Sequence, residues 1–335
     1  MNEVWTIAEQ FEGVLKAVSF ELLAWGRKLA DKLTVNLVSV YIGGEINDER
    51  LGGLISRGAD TVIACADKRL EGFNCVSYAR LLERLAREHR PAVILGAATH
   101  LGRSLMPYTA VRLRTGLTAD CTGLDIEAGT DALLQTRPAI GGNIMAVIKT
   151  RTRPQMATVR PKSMRPLEQD TARRGRIIRI PLDETLQDKR VKVEGLRREE
   201  GDKISVEDAE IVVAGGRGLK RAENFAMIRE LAQSLGGAVG ASRDAVDRGW
   251  ISYPHQVGLS GKTISPRLYM GVGISGAIQH LAGIKTSEVI VSVNPDPEAP
   301  LHLIADLGIV GDAFQVIPAF RKKLAEKAME KMENK

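Results

Sequence analysis

Cysteine is scarce in this chain. There are three, Cys65, Cys75 and Cys121, with no CxxC pair and no metal-like spacing to the five histidines. An odd, scattered count excludes a disulfide framework, argues against a zinc site and fits a reducing cytoplasm. Aromatic residues make up only 4%, too few for a surface that stacks nucleic-acid bases. No run approaches the ~18 apolar residues that a bilayer-crossing helix needs. The opening, MNEVWTIAEQ, has no basic segment leading into an apolar one, so no secretory signal is expected. HExxH, a Ser-His-Asp order and paired carboxylates are all missing, which leaves hydrolytic chemistry without residues to carry it. A Walker sequence is absent too, as is a complete GxGxxG followed ~20 positions later by an acid, the mark of a nicotinamide-dependent dehydrogenase.

What is present suits a large α/β protein. A length of 335 residues suggests two domains at ~100–200 residues each. Apolar residues at 44% and charged residues at 26% are ordinary for a chain that buries real cores. The 33 glycines suit many tight strand-to-helix turns. The net charge of +6 is concentrated in Arg173, Arg174, Arg176, Arg179, Lys189, Arg190, Lys192, Arg197, Arg198 and Lys203, interleaved with acids. This stretch reads as a solvated inter-domain connection, with a docking surface for an acidic partner as the alternative. No recognition helix accompanies the charge, so nucleic acid is not an expected partner.

Along the first ~150 residues, short apolar strands alternate with amphipathic helices. Val4–Ala8, Val35–Ile42, Thr61–Ala64 and Ala92–Gly96 read as strands, while Val18–Leu33 and Tyr78–Glu88 read as helices. Strands that are apolar throughout, rather than at alternate positions, point to a parallel sheet covered on both faces. Residues 118–161 read as short strands completing this domain. The expected boundaries are 1–205 for the first α/β domain, including a charged connection over about 165–205, and 206–335 for the second. The second domain opens with a strand over 209–214 running into Gly215-Gly216-Arg217-Gly218. A helix over Glu223–Leu235 follows, then strands over 238–242, Leu268–Val272 and Val289–Val293, with a helical segment around Ala277–Ala282. A last strand and turn are expected from Ile304 to Asp312, and a surface helix from Arg321 to Lys335. The expected fold class is therefore α/β, with two doubly wound, Rossmann-like domains and mainly parallel sheets.

A ligand of a doubly wound domain lies outside the carboxyl ends of its strands. Those ends carry Gly215–Gly218, Ser242-Arg243, the run Gly273 to His280, and Asn294-Pro295-Asp296. Glycine-rich turns expose backbone N–H groups suited to a phosphate, and Ser275 could cap the helix that follows. By spacing alone, the second domain is a nucleotide or dinucleotide binder.

Longer motifs carry a resemblance. Ser265 to Gly283, reading SPRLYMGVGISGAIQHLAG, is similar to the signature of the electron-transfer flavoprotein alpha subunit. So are Ala214–Gly218, Gly240–Arg243, His255–Gly258 and Asn294–Pro300, in the same order. In the first half the resemblance continues through Ala8–Gln10, Gly116–Cys121, Thr136–Pro138, Gly141–Asn143 and Arg160-Pro161. It implies that the second domain binds FAD and that the chain pairs with a beta subunit. By motif position, Arg217, Ser242 and Arg243 would lie at the flavin ring. Gln256, Val257, Gly258, Leu259 and Ser260 would run along the flavin and ribityl chain. Gly273, Ser275, Gly276, Ala277, Ile278, Gln279 and His280 would hold the pyrophosphate and ribityl regions, with His280 at the pyrimidine edge. Asn294, Asp312 and Ala313 would meet the adenosine end. Leu259-Ser260 departs from the usual Gln-Thr but keeps a hydroxyl, and Pro295 replaces a frequent lysine. A cation at ~4 Å from reduced flavin would be worth about 4 kcal/mol at an effective dielectric of ~20, on the order of 170 mV.

The resemblance implies an electron carrier, acting as an oxidoreductase only within a complex, with no catalytic side chain or metal of its own. Its partners would be the beta subunit, an acyl-CoA dehydrogenase or similar flavoprotein, and a carrier such as ferredoxin or flavodoxin. The surroundings of Arg137 and Arg160 are similar to versions from anaerobes, a subset of which bifurcates electrons from NADH. A non-redox adenine-nucleotide module is the alternative, and it predicts a colourless protein.

Overall fold

The computed structural model describes residues 2–139, 144–195 and 205–333. The chain forms two compact units, Met1–Leu196 and Arg197–Lys335. Their junction falls among residues outside those described, as do Arg197, Arg198 and Lys203 of the charged stretch and the Gly141–Asn143 motif.

The first unit begins with β1 (Val4–Ala8), a small hairpin β2 (Gln10–Phe11) and β3 (Val14–Leu15), α1 (Ala17–Leu33) and β4 (Leu37–Gly43). It continues through α2 (Asp48–Ile55), β5 (Thr61–Ala66), α3 (Cys75–His89), β6 (Val93–Ala97) and α4 (His100–Leu113). Then come β7 (Leu117–Cys121), β8 (Gly123–Glu127), β9 (Ala132–Pro138), β10 (Met145–Ile148), β11 (Gln155–Val159) and β12 (Arg176–Arg179). Seven strands form one sheet in the order β12-β5-β4-β1-β6-β11-β7, every pair parallel. β8, β9 and β10 form a separate antiparallel sheet.

All five residues of β1 and all seven of β4 are buried, and alternate residues serve opposite cores. Val4, Ala8, Leu37 and Tyr41 pack with Leu22, Leu23 and Leu29 of α1 and Leu51 and Leu54 of α2. Trp5, Ile7, Val38 and Val40 pack with Leu81, Leu82 and Leu85 of α3 and Leu105 and Met106 of α4. Each such side chain contributes roughly 1.5–3 kcal/mol on burial, which accounts for uninterrupted apolar strands where one-sided sheets alternate.

The charged stretch departs from expectation in part. Residues 165–195 are mostly exposed, as a solvated stretch would be, but they belong to the first unit rather than forming a free connection. β12 is its edge strand, paired with β5 from Arg176↔Thr61 to Arg179↔Ala64. Asp60 accepts from Arg27 Nη1 at 2.7 Å, Arg173 Nη2 at 2.6 Å and the Leu37 N–H at 2.8 Å. Further on, Arg84 pairs with Asp183, Leu182 joins the core, and the Asp188 N–H donates to Ser77 Oγ.

The second unit contains β13 (Ile211–Gly215), α5 (Phe225–Ser234), β14 (Ala238–Ala241), α6 (Arg243–Asp247) and β15 (Leu268–Val272). After these come α7 (Ile278–Leu281), β16 (Val289–Asn294), α8 (Pro300–Ile304), β17 (Leu307–Val310) and α9 (Ala313–Glu333). Its parallel sheet runs β14-β13-β15-β16-β17. Phe225, Ile228 and Leu231 of α5 and Ile317 of α9 cover one face. Val257, Ile264, Ile284 and Leu301 cover the other. Two boundaries differ from the sequence reading. Ile304 ends a helix rather than starting a strand. α9 begins at Ala313, not Arg321, because Asp312 caps it through Oδ1 to the Phe314 N–H while Ala313 and Ile317 anchor it in the core. Among the described residues, no helix is long and apolar enough to cross a membrane.

Candidate functional site

In the second sheet the first strand, β13, is flanked by the second, β14, on one side and the third, β15, on the other. The winding therefore reverses between β13 and β15, and in this topology a ligand binds at that switch point, off the carboxyl ends of the strands. The loops leaving those two strands are Gly216–Leu219 and Gly273–Ala277.

These loops touch backbone to backbone. The Gly216 N–H donates to Val272 O and the Gly218 N–H to Gly273 O, each at 2.9 Å. A Cβ on Gly216 would sit 2.3 Å from Gly273 O, and one on Gly273 would sit 2.9 Å from the Gly218 Cα. Gly273 also has φ +64, which side chains disfavour. The loop then continues through Gly276, where a Cβ would meet the Leu301 N–H at 2.5 Å. From Ile274 to Gln279, no backbone N–H has an acceptor among the described residues. Ser275, Ala277, Ile278 and Gln279 are exposed, so their N–H groups stand open beyond the strand ends, where they are suited to an anionic ligand. The expected capping role of Ser275 does not appear: α7 starts at Ile278 with Ala277 as its cap, without a side-chain bond. The Ser275 side chain is exposed, and its carbonyl accepts from the Leu301 N–H.

A second segment closes one end. Gln256 bridges to Ala241 at the tip of β14, and the Val257 N–H donates to Ala241 O at 2.9 Å. Gly258 lies so near Gly283 that a Cβ on the latter would be 2.5 Å from the Gly258 Cα. The Leu259 N–H bonds Gln279 O at 2.9 Å, tying this segment to α7. Buried Gln256 donates through Nε2 to Ser260 Oγ at 3.0 Å. Leu259 and Ile278 are exposed at 65% and 79%, an apolar rim without a protein cover.

His280 turns inward from α7, 7% exposed, with Nε2 2.7 Å from the Tyr269 hydroxyl of β15. Burial pushes its pKa down to about 4, against a smaller upward pull from the Val257 backbone. Among the described residues its Nδ1 has no partner within hydrogen-bonding geometry, and neither does the buried Oγ of Ser242.

The two arginines are less committed to the crevice than their motifs imply. Arg217 lies 3.6 Å from Asp244, and Arg243 lies 3.2 Å from Asp247. Both are largely exposed, at 73% and 69%, so solvent and acid partners temper their fields. Asn294 ends β16 buried, donating to Ile274 O at 2.9 Å and accepting from the Asp296 N–H. Asp312 and Ala313 stand at the start of α9, off β17. All the expected positions thus fall at one end of one sheet. Sequence reasoning missed Asp244, Asp247, Leu301 and Tyr269; the acids were detectable as one- and four-residue neighbours of Arg243. In the first unit, Arg160 clamps Asp120 through Nε at 3.0 Å and Nη2 at 2.5 Å, and among the described residues Arg137 donates to the Pro138 carbonyl.

Comparison with known proteins agrees with this geometry. Residues 4–185 match the family model described as electron transfer flavoprotein domain, and 205–285 the electron transfer flavoprotein FAD-binding domain. A protein of Thermoanaerobacterium thermosaccharolyticum named electron transfer flavoprotein subunit alpha is 48% identical, over 96% of this chain and 98% of its own. One of the same name from Clostridium acetobutylicum is 44% identical over 94% of each. A protein of Anaerotignum propionicum named acryloyl-CoA reductase electron transfer subunit beta is 40% identical, over 95% of this chain and 94% of its own. The residues present fit FAD. Free amides and a glycine cradle suit a pyrophosphate, the apolar rim suits a flat ring, and two buried polar atoms await partners. A chain that matches both domain models in this order, and aligns end to end with alpha subunits, belongs to the electron transfer flavoprotein alpha-subunit family, with FAD as its cofactor.

Proposed function

We propose that this chain pairs with a beta subunit in the cytoplasm and passes electrons through FAD between an acyl-CoA-type dehydrogenase and a second carrier, such as ferredoxin or flavodoxin. The observation that carries the reading is the run of unengaged amides from Ile274 to Gln279 at the switch point. In this reading Ser275, Gly276 and Ala277 hold the pyrophosphate by backbone N–H groups, while Gly273, whose own N–H is given to Val293 O, shapes the turn that presents them. Gln256, Val257, Gly258, Leu259 and Ser260 flank the ring, with Ile278 and Gln279 opposite. Ser242 Oγ and His280 Nδ1 gain partners on loading, Arg217 and Arg243 supply positive potential, and Asn294, Asp312 and Ala313 border the adenosine end. Bound there, FAD supplies the one- and two-electron chemistry that no side chain provides, while the protein orients it and tunes it electrostatically.

The acyl-CoA-type partner is supported by the relative named for acryloyl-CoA reductase. Bifurcation from NADH is supported by the likeness of the Arg137 and Arg160 motifs to anaerobe versions. Co-purification with the beta subunit tests both. A yellow heterodimer whose flavin is reduced by an acyl-CoA dehydrogenase bears out the reading, and two flavins with NADH-dependent ferredoxin reduction bear out bifurcation. A colourless protein that binds adenine nucleotides without redox change would overturn it.

A further inference from the structure

The Tyr269–His280 pair has a direction that its surroundings determine. Tyr269 is fully buried in β15, and its hydroxyl has one partner among the described residues, His280 Nε2 at 2.7 Å. Burial raises the Tyr269 pKa far above the usual phenol range, so the hydroxyl keeps its proton. A buried O–H without an acceptor is strongly disfavoured, and Nε2 is the acceptor at hand. Accepting there requires Nε2 to be bare. The imidazole is also held neutral by burial, with no charged side chain among the influences on it. Its single proton must then sit on the other nitrogen, Nδ1, which has no hydrogen-bond partner among the described residues.

We propose that Tyr269 is a positioning residue that locks His280 in the Nδ1–H tautomer, so that the ring offers FAD a fixed donor and never an acceptor. The inference rests on the reading that His280 borders FAD. A donor held in place by a buried phenol favours negative charge developing on the ligand, whereas an imidazole free to exchange tautomers would spend part of its time presenting a lone pair. The hydrogen bond made by one ring nitrogen decides the state of the other, and that dependence is what gives a phenol outside the ligand's reach an influence on it.

The test uses the full heterodimer, with histidines labelled with nitrogen-15, before and after FAD loading. Long-range nitrogen–proton correlation in the wild type is expected to show a protonated Nδ1 and a bare Nε2 at His280. A proton on Nε2 overturns the proposal without need of any variant. Tyr269→Phe, which removes only the hydroxyl, is expected to give a mixture of tautomers and to weaken one-electron reduction of the flavin by up to tenfold, ~59 mV. A folded Tyr269→Phe heterodimer with unchanged tautomer and unchanged potential overturns the proposal. A His280 signal indifferent to FAD loading, with Nδ1 still protonated, overturns instead the contact on which the inference rests.

Discussion

At the residue scale, two site groups make measurable commitments. His280 has a folded pKa of about 4, below the ~6.5 of an exposed imidazole. Between those values the unfolded chain binds more protons, so the stability is complete above ~6.5 and is lost as pH falls toward the folded value. The loss amounts to about 3 kcal/mol over that window. His280→Gln should flatten this dependence in urea unfolding compared between about pH 7 and pH 4.5, and an unaltered slope would sink the assignment. Arg243 pairs with Asp247 and is mostly solvated, so the 170 mV expected from an unshielded cation is an upper bound, screened by water and its acid partner. Arg243→Ala should lower the flavin's one-electron potential by tens of millivolts, set against the ~59 mV of a tenfold change. Asp247→Asn should raise it. Potentiometric titrations in which both variants match the wild type would remove Arg243 from the tuning of the flavin.

At the element scale, legibility followed the source of each element's stability. β1, β4, β5, β6, β13, β15 and β16 could be read because burial on both faces demands an unbroken apolar run. β12 could not: Arg-Ile-Ile-Arg is four residues among charges, and its pairing depends on an acid far away in sequence. Asp60 organises that edge through Arg27, Arg173 and the Leu37 amide. Burial alone would raise its pKa, but the amide bond and the two guanidinium groups outweigh it and hold the carboxyl below its usual range. The stability it lends is present above the ordinary carboxylate pKa and disappears as pH falls through the lowered one. Asp60→Ala should cost roughly 1–3 kcal/mol in urea unfolding and should abolish that acid-sensitive component; a cost under ~0.5 kcal/mol, within ordinary surface variation, would show the edge to be held by its apolar residues alone. The candidate site was legible wherever glycine marked a backbone constraint. Its Tyr269–His280 bond was not, because the two residues stand on β15 and the following α7, and an interval of 11 positions across a strand-to-helix turn matches no regular period.

At the scale of the whole molecule, each core cluster draws its residues from a single unit. A ligand of the second unit should therefore stabilise that unit's transition and leave the other near its own temperature. At a hundredfold excess over Kd the gain is about 2.7 kcal/mol. Calorimetry of the chain with and without FAD should show two transitions with only one displaced. Equal displacement of both would mean that the units unfold together.

The touching glycines at positions 216, 218 and 273 have a consequence for lineage. Where main chain abuts main chain, no distant repacking can make room for a methyl group, so these positions would resist drift even in a descendant that had abandoned redox work. A retained glycine signature then testifies to an inherited scaffold, and the colour of the purified protein must be ascertained independently.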